Sequence, residues 1–67
     1  MINIKVNNTK HQFQSNSSLE VILNLLDISV HGIAVAINQN IITKADWNTK
    51  ILNENDEILV IKATQGG

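Results

Sequence analysis

The sequence predicts a small α+β domain in which one helix is packed across a mixed β-sheet. Apolar and polar residues alternate over residues 1–6, as expected for a strand with one buried face, and residues 58–61 form a short apolar run that is also consistent with a strand. Residues 19–26 instead carry apolar side chains at helical spacing, and they form the one such stretch in the 67-residue chain. A chain of this length buries only about 60% of its unfolded surface, so a single thin core is expected.

The first sixteen residues predict a β-hairpin. Alternate apolar residues of segment 2–6 share one face of the first strand. Asn7 and Asn8 follow as the turn, because asparagine tolerates a positive φ better than most residues. The return strand is expected over residues 9–13.

The helix is predicted to begin at a capping box. Ser17 is expected to accept the backbone N–H near Glu20 while the Glu20 side chain reaches back. The helix then buries one apolar stripe, which consists of Leu19, Ile22, Leu23 and Leu26. Segment 27–32 ends it, and Gly32 is a natural site for left-handed backbone.

The second half of the chain predicts three more strands. Residues 33–37 are apolar at every position, which is typical of a central strand covered on both faces. A polar turn over 38–40 leads to a short strand over 41–43, and Trp47 is expected to fill a gap at the sheet edge. After a turn over 53–56, the last strand spans 57–62.

Two groups in this last segment are candidate partner contacts. Leu59 and Ile61 lie on the strand face opposite Ile58 and Val60, where they form either a partner-binding patch or ordinary surface apolar residues. A second group is an acidic cluster that either steers the chain toward a basic groove or is a solvated turn. The cluster consists of Glu54, Asp56 and Glu57.

Composition argues against several classes of function. The chain has no cysteine, a net charge of -1, and five scattered lysines with no arginine, so a basic nucleic-acid surface is disfavoured. No apolar run approaches the roughly 20 residues that span a bilayer, and a cytoplasmic protein without a membrane partner is expected. His11 and His31 have no companion acid at a recognisable spacing, so we expect neither an enzyme nor a cofactor or metal site.

The last five residues predict the chemistry. Residues 1–62 are expected to form the domain and 63–67 a flexible tail ending in Gly66 and Gly67. Glycines without β-carbons can enter a narrow channel and present a carboxylate to a partner's active site. An ionised carboxylate is a poor electrophile, so acyl chemistry needs ATP to convert it to an acyl-adenylate, from which sulfur can form a thiocarboxylate.

Segment 36–42 followed by Asp46 and Trp47, together with segment 52–67, resembles the ThiS family of sulfur carriers in thiamine biosynthesis. The resemblance implies a ubiquitin-like β-grasp fold and a Gly67 that is adenylated and converted to a thiocarboxylate. It also implies three partners: an adenylyltransferase of the ubiquitin-activating type, a cysteine desulfurase or other sulfur donor, and thiazole synthase. The chain itself would be a co-substrate of these enzymes.

Two departures from the family pattern are visible. Asn55 precedes Asp56 where the family usually has glycine, and Thr43-Lys44 replaces a frequent proline. Asparagine is the next best residue for a positive φ, so the turn is expected to form. Three alternatives stay open: a carrier like the small subunit of molybdopterin synthase, a ubiquitin-like modifier of lysines, and a β-grasp interaction module whose tail does nothing.

Overall fold

A computed structural model of the chain describes residues 1–29 and 31–62, and the expectation for the tail over 63–67 lies outside these ranges. Five strands form one sheet in the order β2-β1-β5-β3-β4, with β1 and β5 parallel and the other neighbours antiparallel. The predicted mixed sheet with one helix is confirmed. The elements are β1 (Ile2–Val6), β2 (Thr9–Phe13), α1 (Leu19–Leu25), β3 (Ile33–Ile37), β4 (Asn40–Ile42), a 3-10 helix (Lys44–Asp46) and β5 (Glu57–Lys62).

Both hairpins turn through two residues with positive φ. The angles are 49° and 69° at Asn7 and Asn8, and 51° and 72° at Asn38 and Gln39. Positive φ at both central residues matches the right-handed twist of the flanking strands. The predicted turns are confirmed, but β4 begins at Asn40 and ends before residue 43, because Asn40 pairs with Ile37 directly across the turn.

The prediction of a capping box at Ser17 is wrong, because Ser18 is the N-cap residue. The Ser18 hydroxyl accepts the N–H of Val21 at 3.2 Å, whereas the Ser17 hydroxyl donates to the carbonyl of Gln14 at 2.7 Å. The segment after the 3-10 helix supplies the missing acceptors: the N–H of Glu20 donates to the Trp47 carbonyl at 3.0 Å. A long-range contact therefore replaces the local cap that the sequence suggested.

The helix ends at Leu25 with Leu26 as its C-cap residue, and the left-handed residue that follows the cap is Asp27 rather than Gly32. Asp27 has a φ of 57°, and its N–H and that of Ile28 donate to the carbonyls of Asn24 and Leu23, both at 3.1 Å. This pair of bonds is a Schellman motif, which satisfies the last helical carbonyls. Gly32 does adopt the predicted left-handed backbone, with a φ of 68°, but in the loop before β3.

The core lies between α1 and one face of the sheet. The predicted helical stripe is confirmed, since Leu19, Ile22 and Leu23 are fully buried and Leu26 packs against them. Trp47 is buried in this core, and its indole N–H donates to the Ile42 carbonyl of the edge strand β4 at 3.0 Å. The indole therefore holds the segment after β4 against the edge of the sheet, as predicted.

The prediction that β3 is the central strand and is covered on both faces needs correction. The middle position belongs to β5, and β3 lies one strand away from the edge. On the face away from α1, Ala34 is only half-buried, and no other element in the described ranges packs over it. Ala36, on the same face, is buried with 6% of its surface exposed, and it lies between its cross-strand neighbours Leu59 and Ile41.

Candidate functional site

The candidate site begins where β5 ends. Register with β3 pairs Lys62 with Ile33, so β5 remains hydrogen-bonded inside the sheet up to its last residue. Residues 63–67 continue from this point, and the predicted reactive residues Gly66 and Gly67 lie outside the described ranges. The sheet thus fixes the position of the residue from which the tail starts.

An apolar surface lies beside this point on the open face of the sheet. Leu59 is 51% exposed and Ile61 is 44% exposed, as the alternation predicted. Cross-strand register places Ala36 opposite Leu59 and Ala34 opposite Ile61, and Ile41 lies opposite Ala36 on the other side. We call these five residues the apolar patch.

The other half of the open face is polar. Lys5 lies opposite Lys10 on β2 and opposite Glu57 on β5. Asn3 lies opposite Gln12, whose side-chain amide donates to the Asn3 side-chain oxygen at 3.2 Å. The open face is therefore divided: strands β1 and β2 present polar groups, and strands β3, β4 and β5 present the apolar patch.

Asn38 joins the turn between β3 and β4 to the beginning of β5. Its side-chain N–H donates to Asp56 at 2.9 Å, and its side-chain oxygen accepts the N–H of Glu57 at 3.0 Å. The other carboxylate oxygen of Asp56 accepts the N–H of Asn53 at 2.8 Å. Both oxygens of Asp56 are thus engaged in the fold. The conformation of this turn is as expected, with a φ of 70° at Asn55.

The three predicted acidic residues have different hydrogen-bond partners within the fold. Glu54 accepts hydrogen bonds from the side chain of Asn3 at 2.9 Å and from its backbone N–H at 3.1 Å. These bonds, the side-chain one above all, hold the pKa of Glu54 below its usual range. Asp56 closes the turn, and Glu57 lies at the first position of β5. The whole group is therefore at the far end of β5 from the tail, separated by roughly 16 Å of strand.

The two histidines lie in different surroundings. His11 stacks on Phe13 at 5.9 Å between ring centroids, and His31 is exposed in the loop before β3. In residues 1–29 and 31–62, no three His, Cys, Asp or Glu side chains are grouped so that they could hold a metal ion. Over the same part of the chain, neither helix is long and apolar enough to cross a membrane.

Sequence reasoning missed two features of this site. One is that Ile41 belongs to the apolar patch. A β4 that begins at Asn40, directly after a two-residue turn, places Ile41 opposite Ala36, and this register was the signal that could have identified it. Asn38 was predicted only as a turn residue, and nothing in a single sequence shows that its side chain bonds a segment eighteen residues later.

The architecture defines the class of protein: a ubiquitin-like β-grasp domain, with one helix across a mixed five-stranded sheet. A crystal structure of a thiamine biosynthesis protein from Geobacter metallireducens has the same fold, with a TM-score of 0.86 and 14% sequence identity, over 98% of this chain and all of that one. The ThiS family model matches residues 2–67. The sulfur carrier protein ThiS of Escherichia coli is 31% identical over 64 residues, which cover 96% of this chain and 97% of that protein. The chain belongs to the ThiS family.

Proposed function

We propose that this chain carries sulfur for thiamine biosynthesis as a thiocarboxylate at Gly67. The observation that carries the proposal is the continuity of β5 with a sequence that ends in Gly66-Gly67, in a chain that the ThiS family model matches through its last residue. Absence of cysteine supports it, because the sulfur must then be held by another group of the chain, and the terminal carboxylate can do so once activated.

The proposed chemistry has two steps, both performed by partner enzymes. The Gly67 carboxylate attacks ATP to form an acyl-adenylate and release pyrophosphate. A hydrosulfide ion then attacks the acyl carbon, the bond to AMP breaks, AMP leaves with the electron pair, and the thiocarboxylate remains. A persulfide on the donor enzyme supplies this hydrosulfide when a second thiol attacks its inner sulfur, which leaves a disulfide on the donor side. The chain acts as a co-substrate, and its own contribution is to present the tail from a fixed strand.

The open face supports a role for protein partners. The apolar patch lies directly beside the root of the tail, so an enzyme that takes the tail contacts this patch at the same time. We propose Leu59 and Ile61 as contacts for the adenylyltransferase and, in a separate complex, for thiazole synthase. The acidic residues at the far end of β5 are the weaker proposal, since two of the three carboxylates already accept hydrogen bonds within the fold.

The remaining partner is a sulfur donor, for which a cysteine desulfurase is the proposed source. A cytoplasmic location belongs to the same proposal, because the first step consumes ATP. A β-grasp interaction module is the second candidate, and the exposed apolar patch is the observation that favours it.

Intact-mass spectrometry tests the proposal. The chain is incubated with ATP, the cognate adenylyltransferase and a sulfur source, and any mass change is localised by top-down fragmentation. Replacement of one oxygen by sulfur at Gly67, absent from a chain that lacks Gly66 and Gly67, supports the carrier. If an enzyme that is active on another carrier forms neither adenylate nor thiocarboxylate on this chain, the sulfur-carrier proposal fails and the β-grasp interaction module becomes the favoured function. A thiazole-forming assay with thiazole synthase then tests the acceptor.

A further inference from the structure

Within residues 1–29 and 31–62, the edge of β5 that faces β1 has no partner strand beyond Ile58. Parallel pairing with β1 ends at Val6 and Ile58, because the chain leaves the sheet at the Asn7-Asn8 turn. β5 nevertheless continues to Lys62, paired on its other edge with β3. Its last residues therefore have a neighbour on one side only, although β5 is the middle strand of the sheet.

The side chain of Asn7 makes the last bond on this edge. The Asn7 N–H donates to the Ile58 carbonyl at 2.9 Å, as a strand residue would. The next rung of the ladder is supplied by the Asn7 side-chain oxygen, which accepts the N–H of Val60 at 2.8 Å. This bond occupies the place that a backbone carbonyl of a longer β1 would take.

The two backbone groups beyond this bond are the carbonyl of Val60 and the N–H of Lys62. Backbone groups of alternate strand residues point to the same edge, so both face the side that β1 has left. No hydrogen bond from residues 1–29 or 31–62 reaches either group on that side. Lys62 is exposed and Val60 is half-buried.

We propose that this short edge receives an extended backbone segment of the adenylyltransferase, which continues the sheet in the place of β1. One residue of that segment donates its N–H to the Val60 carbonyl and accepts the Lys62 N–H, which is the parallel pattern. The inference rests on the proposed function, because it takes the enzyme that activates Gly67 as the occupant.

Distance along the chain favours that occupant. Gly67 is five residues beyond Lys62, and five extended residues span at most about 17 Å. An enzyme that adenylates Gly67 must therefore have its active-site wall within this distance of the open edge. An unpaired strand edge is a ready template for pairing, and here it lies at the mouth of any channel that the tail enters.

Substitution of Lys62 by proline tests the proposal. Proline removes the N–H that points to the open edge and leaves the bonds to β3, which residues 59 and 61 make. Lys62→Ala is the matched control, because it removes the charge but keeps the N–H. We expect Lys62→Pro to bind the cognate adenylyltransferase about tenfold more weakly than Lys62→Ala, as for one lost hydrogen bond at an interface. Equal affinities overturn the proposal.

Amide hydrogen exchange provides a second measurement that needs no substitution. The Lys62 N–H should exchange rapidly in the free chain and become protected in the complex with the enzyme. If the Lys62 N–H exchanges equally fast in the formed complex, the proposal is overturned. The proposal is also overturned if protection of this N–H rises with the concentration of the chain alone, because the occupant is then a second copy of the chain. If wild type is adenylated while Lys62→Pro binds like Lys62→Ala, only this inference fails. If wild type is never adenylated, the proposed function fails.

Discussion

The two faces of the sheet carry similar apolar side chains but differ in how much of them is exposed. Ile58 is 2% exposed and its neighbour Leu59 is 51% exposed, although they are adjacent residues of one strand. The difference arises because the single helix packs on one face only, and a chain of 67 residues has no second layer in its described ranges. Packing of the core therefore explains why the residues on the helix-covered face are apolar. It does not explain why Leu59 and Ile61 on the open face are apolar.

This contrast separates stability from binding. A substitution on the helix-covered face removes buried contacts, whereas one on the apolar patch removes surface that only a partner would cover. The same strand therefore allows matched pairs of variants that differ mainly in the face they alter.

The largest expected effect is on the helix-covered face. Ile58→Ala should lower the free energy of unfolding by about 2–5 kcal/mol, because the side chain is fully buried and a cavity remains. Leu59→Ala should change it by about 0.5 kcal/mol or less. Urea denaturation of the two variants measures the difference. Similar losses would show that the open face is packed, and would break the comparison.

The second prediction concerns the apolar patch. Leu59→Thr combined with Ile61→Thr should weaken binding to the adenylyltransferase by about tenfold or more, since buried apolar contacts at an interface commonly contribute about 1 kcal/mol or more each. Threonine keeps the preference for strand, so the free energy of unfolding should change little. Isothermal titration calorimetry provides the affinity.

A matched control alters the polar half of the same face. Lys10→Thr combined with Gln12→Thr removes two side chains from β2 without touching the patch. Its affinity for the enzyme should stay close to that of wild type. If both double variants lose affinity equally, the whole face contacts the enzyme and the division of the open face has no functional meaning.

The elements could be predicted where local pattern determines them. The strand β1 follows from alternation, β2 follows from the Asn7-Asn8 turn before it, and β5 follows from a short apolar run after a polar turn. Errors arose where a distant segment supplied the partner: the carbonyl of Trp47, rather than a serine, accepts the N–H of Glu20. Hydrogen bonds between residues far apart in the chain leave no local signature in one sequence.

The candidate site shows the same limit. Leu59 and Ile61 were predicted on an exposed face because the strand period decides which residues share a face. The acidic residues were grouped by their proximity in sequence, but Glu54 bonds Asn3 and Asp56 bonds Asn38, in different directions. Charge spacing alone does not show which carboxylates the fold has already engaged.

The third prediction sharpens the comparison at the beginning of β5, where Asn38 fixes β5 relative to the β3–β4 turn. Asn38→Ala should lower the free energy of unfolding by about 1–3 kcal/mol, because it loses two hydrogen bonds and because alanine tolerates a positive φ less well than asparagine. Asn38→Gly keeps the backbone conformation and should lose less. Thermal denaturation ranks the three proteins. A glycine variant as stable as wild type would show that the side-chain bonds contribute no more than glycine gains by adopting a positive φ freely.

The smallest expected effect lies on the polar half of the open face, at Glu54. Because hydrogen bonds from Asn3 lower the pKa of Glu54 in the folded chain, its ionised form stabilises the fold at pH values above the ordinary value of 4.5. This contribution is lost as the pH falls through the lowered pKa, when the carboxylate becomes protonated. Titration of the Glu54 carboxyl carbon by NMR measures the pKa directly. In Asn3→Ala, which removes the side-chain hydrogen bond and therefore the largest cause, the pKa should move back toward its ordinary value while the remaining backbone bond keeps part of the shift. An unchanged pKa would mean that the Asn3 side chain does not bond Glu54 in solution. The pairing of β1 with β2 would then position the polar half of the open face without this side-chain bond.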